Sequence, residues 1–196
     1  MEKEKGSARV LILVRHSLPE IDPGRPAAEW PLSQEGRRRS RLLAGRLTGY
    51  DLAAIVASRE PKAAETGRIV AETLDLPFET AADLHEHERQ HEPFFASQEA
   101  FRARVMRLLA QPEAPLFGRE TGDEARQRFA AALEAVLTNH PRGNLAVVTH
   151  GTVLALFLAH AAGLDAVALW QRLGLPAFIV LSLPGYKILK VVEETE

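Results

Sequence analysis

Two unbroken apolar stretches in this chain each end in a histidine. Val10-Leu11-Ile12-Leu13-Val14 runs into Arg15-His16-Ser17, and Leu145-Ala146-Val147-Val148-Thr149 runs into His150-Gly151-Thr152. Apolar positions on both faces predict strands covered on both sides, as in a parallel sheet. Strands are expected over Arg9 to Val14, Leu52 to Ala57, Asn144 to Thr149, Ala177 to Leu183 and Tyr186 to Val192. Pro77 to Thr80 reads as a short edge strand. Helical spacing falls between them. Ser33 caps a helix to about Leu47, with Leu42, Leu43 and Leu47 on its apolar face. Pro61 opens a helix to Leu74, and Gln98 to Gln111 carries Phe101, Val105, Leu108 and Leu109 on one side. Thr121 to Glu124 has the form of a capping box opening a helix to Asn139. Thr152 to Ala162 is an apolar helix ended by Gly163, and Asp165 caps another to about Leu173.

Strands alternating with helices predict an α/β fold: a three-layer α/β/α arrangement around a mostly parallel sheet. Its 196 residues fit one domain over residues 1–196, with an inserted helical and loop region at about residues 82–120. Ile21 to Pro31, rich in Pro, Gly and Asp, reads as a loop, as does Asp83 to Phe95.

Composition narrows the chemistry. The chain has no cysteine, which excludes disulfides, thiolate nucleophiles and cysteine metal sites. A net charge of −2 argues against a dedicated nucleic-acid binder. The charged N-terminus lacks the length and cleavage site of a secretory signal, and no apolar run reaches the ~18 residues of a membrane span. The expectation is a cytoplasmic protein without membrane or nucleic-acid partners.

Parallel strands direct their C-terminal ends to one edge of a sheet, where ligands bind. Two imidazoles and an arginine at that edge predict an anion site containing a nucleophile. Neutral imidazole attacks phosphorus readily, and arginine offers a fork matched to two phosphate oxygens. Gly151-Thr152 opens the helix behind His150, so free backbone N–H groups would face an anion there. The plainer alternative makes His150 a helix cap or a packing residue. Residues 85–91, with His85, His87 and His91, invite a metal reading, but the spacing matches no strong zinc pattern. A solvated acidic-histidine loop near the pocket is the simpler expectation. Trp30 is a pocket wall or a packing residue, and Arg37, Arg38, Arg39 and Arg41 are a solvated helix face.

In order along the chain stand Arg15-His16-Ser17, Leu32-Ser33-Gln34-Glu35-Gly36, Ser58 to Thr66, Leu84-His85-Glu86 and Val148-Thr149-His150-Gly151. This ordered set resembles the histidine phosphatase superfamily, the phosphoglycerate-mutase-like group with an Arg-His-Gly signature. The resemblance implies a phosphoglycerate-mutase-like fold and a catalytic set of His16, Glu86 and His150, with no metal and no cofactor. His16 would attack phosphorus, and Arg15, Ser17 and Gly151 would bind phosphoryl oxygens. His150 would stabilise their charge. Glu86 would protonate the leaving alkoxide and then accept a proton from water, which calls for a raised pKa.

Two departures stand out. Ser17 replaces the signature glycine, although its backbone N–H is still available to phosphate. In Ser58-Arg59-Glu60-Pro61-Lys62, lysine takes the position of the family's arginine, and lysine lacks the bidentate fork. Arg59 and Lys62 both stand as candidates for that cationic role. The implied activity is hydrolysis of a small phosphorylated metabolite through phosphohistidine. A phosphoglycerate-type mutase is the nearest alternative, although such mutases are typically longer. A metal-dependent hydrolase using His16, His85, His87 and His150, or a non-catalytic phosphate-binding module, represents a different class. Substrate identity and oligomeric state have no signature in the chain. Specificity would come from Leu18 to Pro31 and Glu86 to Phe117.

Overall fold

The computed structural model describes residues 9–89 and 97–195. Six strands form one mixed sheet: β1 (Val10–Arg15), β2 (Leu52–Ser58), β3 (Phe78–Ala81), β4 (Asn144–Thr149), β5 (Ala177–Ser182) and β6 (Lys187–Val192). Their spatial order is β3-β2-β4-β1-β5-β6. The first four in that order pair parallel, while β5 and β6 add an antiparallel pair beyond β1. The expected short strand is indeed at an edge.

Six helices cover the two faces: α1 (Gln34–Leu47), α2 (Pro61–Leu74), α3 (Gln98–Ala110), α4 (Gly122–Asn139), α5 (Gly151–Ala162) and α6 (Ala166–Arg172). The alternation of β1 separates two cores. Ile12 and Val14 pack with Leu43, Ala44, Leu47, Ala63 and Val70 of α1 and α2. Leu11 and Leu13 pack on the opposite face with Phe129, Leu133, Val153, Leu154 and Leu169 from α4 to α6. The three-layer α/β/α expectation therefore holds.

Helix starts follow local chemistry. The Ser33 side chain accepts a hydrogen bond from the Gly36 N–H at 3.0 Å, and Thr121 and Glu124 form the reciprocal box that satisfies two otherwise unpaired donors. Leu42 departs from expectation and is 38% exposed. The buried stripe of α1 is Gly36, Ser40, Leu43, Ala44 and Leu47, which leaves Leu42 one residue off the face.

The chain leaves β1 toward the α1 face and leaves β4 toward the α5 face. Adjacent parallel strands whose following helices diverge in this way open a crevice between their C-terminal ends. That crevice contains both strand-end histidines.

Gly36 anchors one wall of the crevice. A Cβ there would sit 2.1 Å from the Leu18 carbonyl oxygen, a backbone atom that cannot move alone. Gly36→Ala is expected to cost about 1–3 kcal/mol, as overpacking does in a tight interior. The measurement is the urea midpoint at constant m-value.

Candidate active site

The register of β1 against β4 sets Arg15 opposite Thr149, so the next residues, His16 and His150, lie side by side. Their rings are 5.1 Å apart between centroids and meet edge to face. Both are buried. The His16 backbone N–H donates to the Thr149 carbonyl at 2.9 Å, locking the two loop starts together.

His16 Nδ1 lies 2.7 Å from the Ser17 carbonyl oxygen. That oxygen only accepts, so Nδ1 bears the proton and Nε2 carries the free lone pair. Burial lowers the His16 pKa well below the ordinary imidazole value, with His150 and the Lys62 ammonium adding to the effect. The ring is neutral at physiological pH. Burial and Lys62 likewise lower His150, against the pull of Glu86.

His150 Nε2 meets Ser58 Oγ at 2.9 Å, because β2 lies beside β4 and its last residue reaches the same edge. His150 Nδ1 is buried without a hydrogen-bond partner among the described residues, and its nearest acid is Glu60 Oε2 at 3.7 Å. Arg15 is held by one nitrogen donating to the Leu173 carbonyl and by the Trp170 ring, 5.8 Å from its guanidinium carbon. Its Nε is buried and has no hydrogen-bond partner among the described residues. Burial pulls the Arg15 pKa down to about 10; Glu86 opposes this, and Arg89 and Arg102 reinforce it. Gly151 accommodates this arginine, since a Cβ there would lie 2.9 Å from Arg15 Nε. As the first residue of α5, its N–H also has no intrahelical acceptor.

Between the two cationic candidates, the fold separates buried from exposed. Arg59 is exposed. Lys62 is 6% exposed, donates to the Ala27 carbonyl at 2.8 Å, and pairs with Glu60 Oε2. Its charge reaches both histidines.

Three expectations need correction. Ser17 does not offer its backbone N–H to the cleft: that group donates to Thr66 Oγ1 at 3.0 Å, and the Ser17 hydroxyl donates to the Gly36 carbonyl at 2.8 Å. The serine that replaces glycine is thus absorbed into packing. Glu86 does not have a raised pKa. Burial pushes it up, but Arg89, His150 and the N–H groups of His87 and Thr152 outweigh burial and hold it well below the usual carboxylate range. Its two oxygens accept from the His87, Thr152 and Val153 N–H groups at 3.0, 3.1 and 3.2 Å, and Oε2 lies 3.3 Å from Arg89 Nη2. Glu86 thereby caps the start of α5, where the helix end favours negative charge.

Third, His87 is not a solvated loop residue. It is 2% exposed, lies 2.7 Å by Nε2 from the Glu120 carbonyl, and packs on Phe117 with ring centroids 5.1 Å apart. His85 stands 3.4 Å from Glu88, and His91 lies outside the described residues. Among the described residues, no group of three or more histidine or acidic side chains is arranged to hold a metal. Trp30 ties its own loop together through the Asp22 and Arg25 carbonyls.

Sequence reasoning missed two residues that the fold brings into this cleft. Arg89 pairs with Glu86, stacks near Phe101 and Phe117, and has a buried Nη1 without a partner among the described residues. Its spacing three residues after Glu86 was a usable signal. Glu60 pairs with Lys62 and accepts the Glu86 N–H at 3.0 Å through Oε1. Its position directly beyond a buried strand was the corresponding signal.

Known structures share this architecture. YhfR from Bacillus stearothermophilus superposes with a TM-score of 0.73 at 24% identity, covering 95% of this chain and 96% of that one. A mycobacterial glucosyl-3-phosphoglycerate phosphatase gives 0.70 at 18%, covering 96% and 99%. The alpha-ribazole phosphatase from Shigella flexneri gives 0.69 at 20%, covering 95% and 96%. At these identities the likeness concerns the fold. No significant match was found among the curated proteins. No helix among the described residues is long and apolar enough to cross a membrane. The family model for the histidine phosphatase superfamily (branch 1) matches residues 11–186, nearly the whole length, and the chain belongs to that superfamily.

Proposed function

We propose that this protein hydrolyses a phosphomonoester of a small metabolite through a phosphohistidine on His16. One arrangement carries the reading. A neutral imidazole with a free Nε2 lone pair lies in a cleft with three buried nitrogens that lack partners among the described residues: Arg15 Nε, Arg89 Nη1 and His150 Nδ1. Buried guanidinium nitrogens without partners are costly and suit an anion that accepts from them. The names of the two structurally similar phosphatases, whose substrates are small phosphorylated compounds, support the substrate class.

In the first step the Nε2 lone pair forms a bond to phosphorus. The P–O bond to the leaving group breaks, and its electron pair stays on oxygen. Glu86 gives that oxygen a proton, releasing the alcohol. In the second step water attacks phosphorus and passes a proton to the Glu86 carboxylate. The P–N bond breaks, its electron pair returns to Nε2, and inorganic phosphate leaves. Arg15, Lys62, His150 and the Gly151 N–H stabilise the phosphoryl oxygens as charge shifts. Glu86 is ionised in the empty cleft. An incoming phosphoryl charge works against that ionised form and favours proton uptake by Glu86 on binding.

The test is hydrolysis of an aryl phosphate together with trapping of the phosphoenzyme. Wild type should form an acid-labile, alkali-stable phosphoenzyme and retain its rate in chelator, while His16→Ala should form none. Activity that disappears with chelator, or persists in His16→Ala, sinks the mechanism. Glu86→Gln should lower kcat by about 10²–10⁴-fold, the usual size of a positioned proton donor's effect.

Lys62→Met gives a second prediction. The ammonium disfavours the imidazolium form of both histidines, so its removal raises the His16 pKa. The acid limb of the kcat/KM profile should therefore move to higher pH, while Arg59→Ala leaves the limb in place. An unmoved limb in Lys62→Met would assign the second cationic role elsewhere.

A further inference from the structure

Glu60 places a carboxylate where the phosphoryl site needs positive charge. Its side chain is 11% exposed and bonds from both oxygens. Oε1 accepts the Glu86 N–H at 3.0 Å. Oε2 pairs with the Lys62 ammonium and stands 3.7 Å from His150 Nδ1, which has no hydrogen-bond partner among the described residues. Lys62 and His150 are two of the groups assigned above to phosphoryl oxygens. Glu60 Oε2 sits against both.

We propose that Glu60 is a specificity-determining residue that makes the cleft take up an oxyanion together with a proton, shared between Glu60 Oε2 and the bound anion. The proposal rests on reading this cleft as the phosphoryl site. A phosphoryl oxygen that reaches Lys62 and His150 Nδ1 must approach Glu60 Oε2 closely. Two oxygens without a hydrogen between them repel at that distance, and burial leaves the repulsion poorly screened. A proton turns the same contact into a charge-assisted O–H···O hydrogen bond. The substrate so selected is a phosphomonoester in its singly charged form, or a dianion accompanied by a proton from solution.

Other groups around this oxygen do not remove the conflict. From α2 comes Lys62, already paired with Glu60 and bonded to the Ala27 carbonyl. From the start of α5 comes His150, neutral and buried. From the segment after β3 come Glu86, itself anionic, and Arg89, which is paired with Glu86. From the end of β1 come His16, neutral, and Arg15, bonded to Leu173. The preceding residue, Arg59, is exposed.

Sulfate is a suitable probe, because it keeps both charges across the working pH range and requires no turnover. Calorimetric titration of wild type and Glu60→Gln at pH 7.5 should show at least tenfold tighter sulfate binding by the variant. Glutamine keeps one oxygen to accept the Glu86 N–H and gives up the Lys62 ion pair, and a thermal melt verifies that the fold is kept. Repeating the titration in buffers of different ionisation enthalpy should show about one proton more taken up by wild type than by the variant. Equal or weaker binding by Glu60→Gln at pH 7.5, or equal proton uptake, would overturn the proposal. The phosphohistidine experiment is independent of this one: an inactive protein can still show the sulfate gap, and an active one can lack it.

Discussion

The parallel register of β1 on β4 is the constraint from which the site follows. Arg15 lies opposite Thr149, and the His16 N–H closes on the Thr149 carbonyl, so two residues 134 positions apart emerge at the same height. A slip of one residue would send every side chain of the strand to the opposite core, where its packing partners are different. Ile12 and Val14 belong to one face, and Leu11 and Leu13 to the other. Core packing therefore enforces the register, and the register sets the histidine pair. Further pairing extends the same edge. Ala57 lies opposite Val148, which brings Ser58 to His150, and Thr149 Oγ1 donates to the Leu84 carbonyl, which draws the Glu86 segment over the strand ends.

Burial then decides protonation. Imidazoles sealed beneath this edge lose the solvation that an imidazolium requires, so both remain neutral. Desolvation also pushes Glu86 toward its neutral form, yet it is ionised because three backbone N–H groups and Arg89 converge on it. Desolvation is outweighed at Glu86, which meets donors and a counter-charge, and reinforced at the histidines, which meet cations. The carboxylate thus does two jobs in the empty protein: it caps α5 and it compensates Arg89.

Most of the scaffold was legible in the sequence, since apolar periodicity and capping residues are local signals. The boundaries of α2, Pro61–Leu74, and of β4, Asn144–Thr149, follow directly from them. Leu42 was misplaced because a run of two leucines leaves the phase of a helical stripe ambiguous by one residue. In the site, Arg15, His16 and His150 were readable from their place at strand ends. The roles of Ser17 and Glu86 were not, because each depends on a partner distant in sequence: Thr66 for one, and the first turn of α5 for the other. Arg59 and Lys62 look alike in sequence. Only their different exposure, set by where α2 begins, separates them.

The exchange of arginine for lysine at position 62 becomes intelligible beside Glu60. An arginine fork projects several donors in a plane and can serve an internal acid and a ligand together. A lysine is a compact point charge whose partner largely claims it. Lys62 is claimed by Glu60 and by the Ala27 carbonyl. Among the described residues, the cleft holds three cations, Arg15, Lys62 and Arg89, and two carboxylates, Glu60 and Glu86, around neutral histidines. One net positive charge remains. A singly charged anion balances this cleft, and a second negative charge is balanced only when a proton is taken up at one of the two carboxylates, because low dielectric makes an unbalanced buried charge expensive. The same positions that make the cationic motif look incomplete therefore set a charge balance matched to an anion that arrives with its proton.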